Sequence, residues 1–579
     1  MPIRPASFLH WINSMSSRTF YLSLLLGSLV VVNIYFLYTI ILPWFSNRNG
    51  KVTPIVPPPP SLPKPYHPPY YGVPKQRIPP SRRKFKSQVI DDYIILKSKT
   101  MQDQDLATLL NNCLPNTLDT TIEWYDLKYP HTFLITGDIP AMWIRDSTNQ
   151  ILPYLPFINE DLQLQSLILG VIETQADYLT YDPYANAFLR PWYATIDDKK
   201  NPAHGRVQDR VIPQYDSQYV WESKYELDSL GHFFELGNEY MTATGDTERV
   251  LGSKTWLQAV HRVLQVIHDQ QRGTWEEEER FPRARVYKKP PFPIYENSSS
   301  SSSSSSFSQE EPMPLPLDKG YRFTRYSDRP TETLGANGLG GISQRCGLVK
   351  SAFRPSDDAT TFPYLIPANA QISVQLKRLA QIIRTALISN KVDHHRKQLS
   401  DIAVEAQSLG DRIHQAIYAH AVVDHPVHGK IFAYEVDCYG SFILMDDANT
   451  PSLLSLPLLG FMERTDPLYL RTRSFLLSSS NPWYFKGKFG QGIGGPHTGY
   501  GMIWPISLLV QSQTSTDEDE IKIILDTLKR LASQSTHGWM VESFHKDNPK
   551  LFTRPWFSWA NGLLGTTIAD LDARFPHLL

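Results

Sequence analysis

Between Phe133 and Tyr154 the chain reads FLITGDIPAMWIRDSTNQILPY. From Asp138 to Asp146 it places two carboxylates, a guanidinium and an indole close to Gly137 and Pro140. A core helix or strand would repeat apolar residues at a fixed spacing. Here Asp138, Trp143, Arg145 and Asp146 gather around a turn instead. Such a set suits a sugar ring, whose hydroxyls take charged hydrogen-bond partners and whose C–H face packs on an aromatic. The same residues could instead serve structure, as a buried Arg145–Asp146 ion pair holding a loop.

Hydrolysis of a glycoside needs one protonated carboxyl for the leaving oxygen and a second carboxylate. In an inverting reaction the second group activates water from the opposite face, about 6.5–9.5 Å from the acid. With 58 acidic residues in the chain, spacing cannot choose the pair. Five blocks in order can: GDIPAMWIRDS, WESKYELDSL (221–230), FRPSDDATTFPYLIPAN (353–369), YEVDCYGSFILMDDANTPSLLSLP (434–457) and VESFHKDNPKLFTRPWFSWANGLL (541–564). Together they resemble glycoside hydrolase family 125, the exo-α-1,6-mannosidases, over a span from roughly residue 90 onward. The resemblance implies Asp228 as general acid, Glu542 as general base, and inversion without a covalent glycosyl-enzyme. It also implies that Arg354, Asp357 and Asp358, and Asp446, Asp447 and Asn449, follow the family's sugar cleft. Asp138, Trp143, Arg145 and Asp146 join them, and Trp483 and His497, on a mobile glycine loop, face the terminal sugar.

Each assignment has a structural rival. Asp228 lies four residues after Lys224, so on a helix the two could form a surface pair. The aromatics of WESKYELDSLGHFFEL argue the other way, because desolvation raises a carboxyl pKa as an acid catalyst requires. Glu542 could be a helix-end or turn carboxylate, and the Asp357/Asp358 and Asp446/Asp447 pairs could cap helices. Two other functions stay open. One is an α/α-toroid glycosidase of another sugar or linkage; the other is a non-catalytic glycan-binding membrane protein.

Cofactor chemistry finds little footing. Gly490–Gly495 formally matches GxGxxG, but no strand precedes it and Pro496-His497-Thr498 follows where a helix should begin, so a dinucleotide site is rejected. No HExxH or Cys-rich pattern marks a metal site, and His414, His420, His425 and His428 read as a solvated loop. Three cysteines, Cys113, Cys346 and Cys438, exclude a disulfide framework but allow one bridge of unspecified pairing. A net charge of −1 excludes a basic face for nucleic acid.

The elements that must position these groups are mostly helical. Apolar periodicity marks Leu162–Leu179, Lys254–His268, Ile372–Leu387 and Leu399–Ile417, and a helix capped by Thr516 whose stripe runs from Ile521 to Leu531. Tyr240–Asp246 resembles a turn between successive toroid helices. No βα alternation suggests a parallel sheet; the family resemblance implies a mainly α, (α/α)6 toroid over residues 89–579. Residues 20–42 carry no charge, and 23 helical residues span the ~30 Å hydrocarbon layer, so a signal anchor follows a short tail, 1–19. A Pro-rich stem (43–88) has twelve prolines between 54 and 80. The reading is a type II single-pass protein of the secretory pathway (Golgi or ER), with a lumenal domain acting on a mannose-containing glycan. The Ser298–Ser306 tract marks a disordered insertion at about 276–318, and Asn297-Ser298-Ser299 is the chain's N-glycosylation triplet.

Overall fold

Helices in this protein begin in two different ways, and the difference locates the site. The computed structural model describes residues 67–194, 209–280, 313–392, 394–534 and 538–579. Among the helices that start on side-chain caps are α1 (Gln88–Thr100), α2 (Gln104–Cys113), α4 (Leu162–Tyr181), α6 (Lys254–Asp269) and α9 (Pro467–Leu476), capped by Ser87, Asp103, Asp161, Ser253 and Asp466. Each oxygen satisfies a first-turn amide that would otherwise lack a partner. Among those with no side-chain cap are α3 (Ile144–Ile151), α5 (Leu227–Thr244), α7 (Ile366–Ile388), α10 (Pro505–Thr514) and α12 (Ser558–Arg574).

The inner helices all lack a side-chain cap, although one outer helix, Arg396–His420, lacks one too. Along α7, α5, α3, α12 and α10 each packs on the next, while α8 (Arg396–His420) backs α7, α4 backs α3 and α5, and α6 backs α4. On the other side α11 (Glu518–Gln534) lies against α10 and α2, and α2 against α12. All ten residues of α10 are buried, so it has no solvent face, as expected of an inner helix. With 48% helix the fold is mainly α, as the periodicity suggests.

Short antiparallel strands lead into the inner helices. β1 (Met142–Trp143), β2 (Ala187–Phe188) and β3 (Val220–Glu222) form one sheet and feed α3 and α5. β4 (Tyr364–Leu365), β5 (Glu435–Val436) and β6 (Phe442–Ile443) form another, ordered β6-β5-β4, and feed α7. β7 (Met502–Ile503), β8 (Ser543–His545) and β9 (Asn548–Thr553) form a third and feed α10 and α12. The positive dipole ends of α3, α5, α10 and α12 therefore border one region, rich in carboxylates.

Several expectations are corrected. Asp517, not Thr516, caps α11, accepting from the amides of Asp519 (2.9 Å) and Glu520 (3.4 Å). Tyr240–Thr244 is the last turn of α5, ended by left-handed Gly245. His414 and His420 lie on α8, and His425 and His428 belong to the hairpin Val422–His425/Gly429–Phe432, so they form no loop cluster. The glycine segment is a paired hairpin, Tyr484–Lys486 with Gln491–Ile493, because a Cβ on Gly492 would meet Ile503 and Leu508 at 2.8 Å. Cys346 and Cys438 form the one bridge among the described residues, and Cys113 is free and buried. The apolar run 20–42, Asn297 and the Ser298–Ser306 tract lie outside the described residues. Among those described, no helix is long and apolar enough to cross a membrane.

The described part of the Pro-rich segment is packed rather than extended away. The Val73 and Gln76 amides donate to Asp105 (2.8 Å) and Asn112 (2.9 Å), and Arg77 pairs with Asp119 at 2.8 Å. Lys529, fully buried on α11, reaches Asp103 Oδ2 at 2.6 Å and the Pro69 carbonyl at 3.1 Å. Lys529→Ala strips the counter-charge from a buried capping carboxylate. We expect a loss of about 3–5 kcal/mol in the guanidinium-chloride unfolding free energy; a loss under about 1 kcal/mol would show that the pair carries little.

Candidate active site

Gly137 explains how the two ends of the chain meet. Its φ is +139°, a region closed to other residues, and a Cβ would fall 2.3 Å from the Trp556 carbonyl oxygen. Gly137 bridges to Phe557, and the Ser558 amide donates to Thr136 at 3.1 Å. The segment before α3 and the segment before α12 are thereby locked together.

Between them opens a hollow. Trp143, Trp504, Phe557 and Trp559 supply aromatic walls, and Arg145, Asp146, Asp357, His497, Glu542 and Arg554 supply charge. Asn449, Ser356, Thr136, Ile139 and Pro355 complete the lining. Asn449 Nδ2 and Trp143 Nε1 are buried donors without a protein partner, as expected of groups meant for a ligand.

Arg145 organises the charge. Its guanidinium, 4% exposed, meets Glu226 Oε2 at 2.6 Å, Asp146 Oδ2 at 3.2 Å, Asp357 Oδ1 at 3.6 Å and Asp228 Oδ2 at 3.7 Å. Four carboxyls around one cation cannot all ionise in a buried site. Burial pushes Glu226 well above the usual carboxylate range, and pushes Asp228 up to about 7 against the pull of Arg145. Burial also raises Asp146, although Arg145 and Arg554 oppose it. Asp357 goes the other way: burial would raise it, but Lys224, Arg145 and His497 together hold it below the ordinary range. Its φ of +70° is a left-handed conformation that a short polar side chain tolerates. Burial would lower His497, yet its hydrogen bond and ion pair with Asp358 and the charge of Glu542 raise it to about 9, so the imidazole is cationic at neutral pH. Glu542 accepts from Arg554 Nη1 at 3.4 Å.

Of the residues expected in the cleft, Trp143, Arg145, Asp146, Asp357, Asn449, His497 and Glu542 line the hollow. The others are displaced from it. Asp228 is fully buried in the first turn of α5, reached through Arg145, and neither carboxyl oxygen has a hydrogen-bond partner. Asp138 lies outside, held by Arg554 at 2.6 Å. Arg354 is locked to Glu435 at 2.6 Å, Asp447 accepts from Ser356 at 2.7 Å, and Asp358 stands 3.6 Å from His497. These three brace the lining from behind. Asp446 is structural, accepting at 2.9 Å from the amides of Leu453 and Leu454, which lie in a turn, so it caps no helix. Trp483 stacks on Tyr500 and does not line the hollow.

Sequence reasoning missed Glu226, Ser356, Trp504, Arg554, Phe557 and Trp559. The density of aromatics and Arg554 in FTRPWFSWAN was the available signal for three of them. Nothing in the local pattern separates Glu226 from Asp228.

Comparisons with known proteins identify the family. A family model described as metal-independent α-mannosidase matches residues 103–569. The meiotically up-regulated gene 157 protein of Schizosaccharomyces pombe is 45% identical over 511 residues, covering 88% of this chain and 90% of that protein. A Streptococcus pneumoniae metal-independent α-mannosidase, solved in a non-productive complex with α-1,6-mannobiose, is 31% identical with a TM-score of 0.70. The match covers 86% of this chain and 99% of the solved one.

Proposed function

The chain belongs to the metal-independent α-mannosidases of glycoside hydrolase family 125, and from that premise we propose an inverting exo-enzyme that removes terminal α-1,6-linked mannose from glycans. The observation that carries this reading is a hollow walled by aromatics and charged groups, holding Glu542 and joined to Asp228 through Arg145. The inner helices α7, α5, α3, α12 and α10, read as an arc of a closed (α/α)6 ring, set the two carboxyls on different helices or strands around it.

In this reading the terminal mannose packs on the aromatic walls, while Arg145, Asp146, Asp357, Asn449 and His497 take its hydroxyls. Asp228 gives its proton to the bridging oxygen as the bond from the anomeric carbon breaks. Glu542 removes a proton from the water that attacks from the opposite face, leaving mannose with inverted configuration. The reading requires the seated sugar to bring its leaving oxygen to Asp228 past Arg145. Catalytic hydrogen bonds commonly tighten only in the Michaelis complex.

The uncharged run 20–42 supports a single-pass anchor, and the Cys346–Cys438 bridge supports a lumenal, oxidising location for the catalytic domain.

The test is hydrolysis of α-1,6-mannobiose by the full chain, followed as released mannose across pH. Acid catalysis needs Asp228 protonated, and its carboxyl is raised to about 7. So kcat/KM should fall as pH rises through about 7. A rate that climbs through that range, or no release of mannose at any pH, refutes the assignment.

A further inference from the structure

Trp483 has a partner that changes its role. Its indole stacks on Tyr500 with ring centres 5.3 Å apart and planes 13° apart, and Phe485 braces the indole edge-on at 6.2 Å. Tyr500 is 83% exposed. One face of the phenol therefore rests on Trp483, and the ring is otherwise open to solvent. A large aromatic held in one orientation yet left uncovered is how a binding platform looks before its ligand arrives.

The position of Tyr500 ties this platform to the hollow. His497, three residues earlier, lines the hollow, and three residues of chain span at most about 11 Å. Thr498 Oγ1 accepts from the indole of Trp504, another lining residue, at 2.9 Å. On the other side Met502 pairs with His545, on the strand that follows Glu542. Gly499 and Gly501, at φ +87° and +79°, make the turn, and a Cβ on Gly501 would come 3.0 Å from His545 Nε2. Tyr500 is thus pinned near the hollow, between a sugar-facing cation and the strand beside the base.

We propose that Trp483 and Tyr500 form a platform for a sugar on the leaving-group side of the bond that is cut, beyond the terminal residue. The occupant is a hexose ring of the glycan arm, packed by its C–H face on the phenol. This rests on the reading of the hollow as the terminal-mannose site. The platform selects for chain length and takes no part in bond cleavage.

The experiment compares two substrates on the full-length protein. α-Mannosyl fluoride has no second sugar, whereas α-1,6-mannotriose has two beyond the bond. Tyr500→Ala should lower kcat/KM for the trisaccharide about three- to tenfold and leave the fluoride unchanged, and Tyr500→Phe should match wild type on both. Equal losses on both substrates, or no loss on either, overturn the platform. Binding separates this from the function itself. In a Glu542→Gln background, Tyr500→Ala should weaken mannotriose affinity by the same factor in calorimetric titration. Unchanged affinity sinks the platform whether or not the wild-type protein hydrolyses mannosides; a wild type without hydrolysis whose affinity still depends on Tyr500 sinks only the proposed reaction.

Discussion

Asp228→Asn should lower kcat on α-1,6-mannobiose by roughly 10²–10⁴-fold, the usual worth of a general acid. On α-mannosyl fluoride it should have little effect, because fluoride departs without a full proton transfer to a sugar oxygen. The variant is a clean one. Both Asp228 oxygens are buried without a hydrogen-bond partner, so an isosteric amide breaks no bond. It removes the proton that burial retains on this carboxyl up to about pH 7, together with the carboxyl's 3.7 Å contact with Arg145. Parallel loss on both substrates would mean that Asp228 acts through Arg145, as a positioning group, and that the acid is another carboxyl. Glu226 would be the first candidate, since it is bonded to the same guanidinium and burial raises it too.

Glu542→Gln should give the complementary pattern. Water must be activated whichever group leaves, so turnover of mannobiose and of the fluoride should fall together, again by roughly 10²–10⁴-fold. Binding should persist: Arg554 can still donate to the amide oxygen, and the aromatic walls are untouched. Titration of the variant with mannobiose checks this directly. Retained turnover would move the base to Asp146 or Asp357, the other carboxylates lining the hollow. The two variants thus differ in their effect on the fluoride and not in size on mannobiose, which separates an acid from a base without reference to the family.

Much of this organisation was legible before any coordinates. The outer helices announced themselves because one face is wet: Lys254–Asp269 and Glu518–Gln534 carry clean apolar stripes. Pro505–Thr514 did not, because a helix buried on every side has no stripe to read. The strands leading into the inner helices escaped too, since two or three residues cannot display a period of two. In the site, residue types were right more often than layers. Asp357 and Asp358 are adjacent and chemically alike, yet a left-handed turn at Asp357 puts one in the lining and the other behind His497. Arg354 and Arg145 look equivalent in sequence, but Glu435 claims the first while Arg145 lines the hollow. Such choices are made by contacts between distant segments, which local pattern does not encode. The pinning of Gly137 against Trp556 is the plainest case, joining residues more than four hundred positions apart.

Acid and base on opposite sides of one sugar, with a water but no covalent intermediate between them, is the chemistry on which the whole reading turns. Proton NMR of α-1,6-mannobiose hydrolysis by the full chain tests it most directly, because the anomeric signals show the first product before mutarotation mixes them. β-Mannose appearing first is the predicted result. α-Mannose appearing first would require a double displacement through a glycosyl-enzyme, and would contradict the roles given to Asp228 and Glu542.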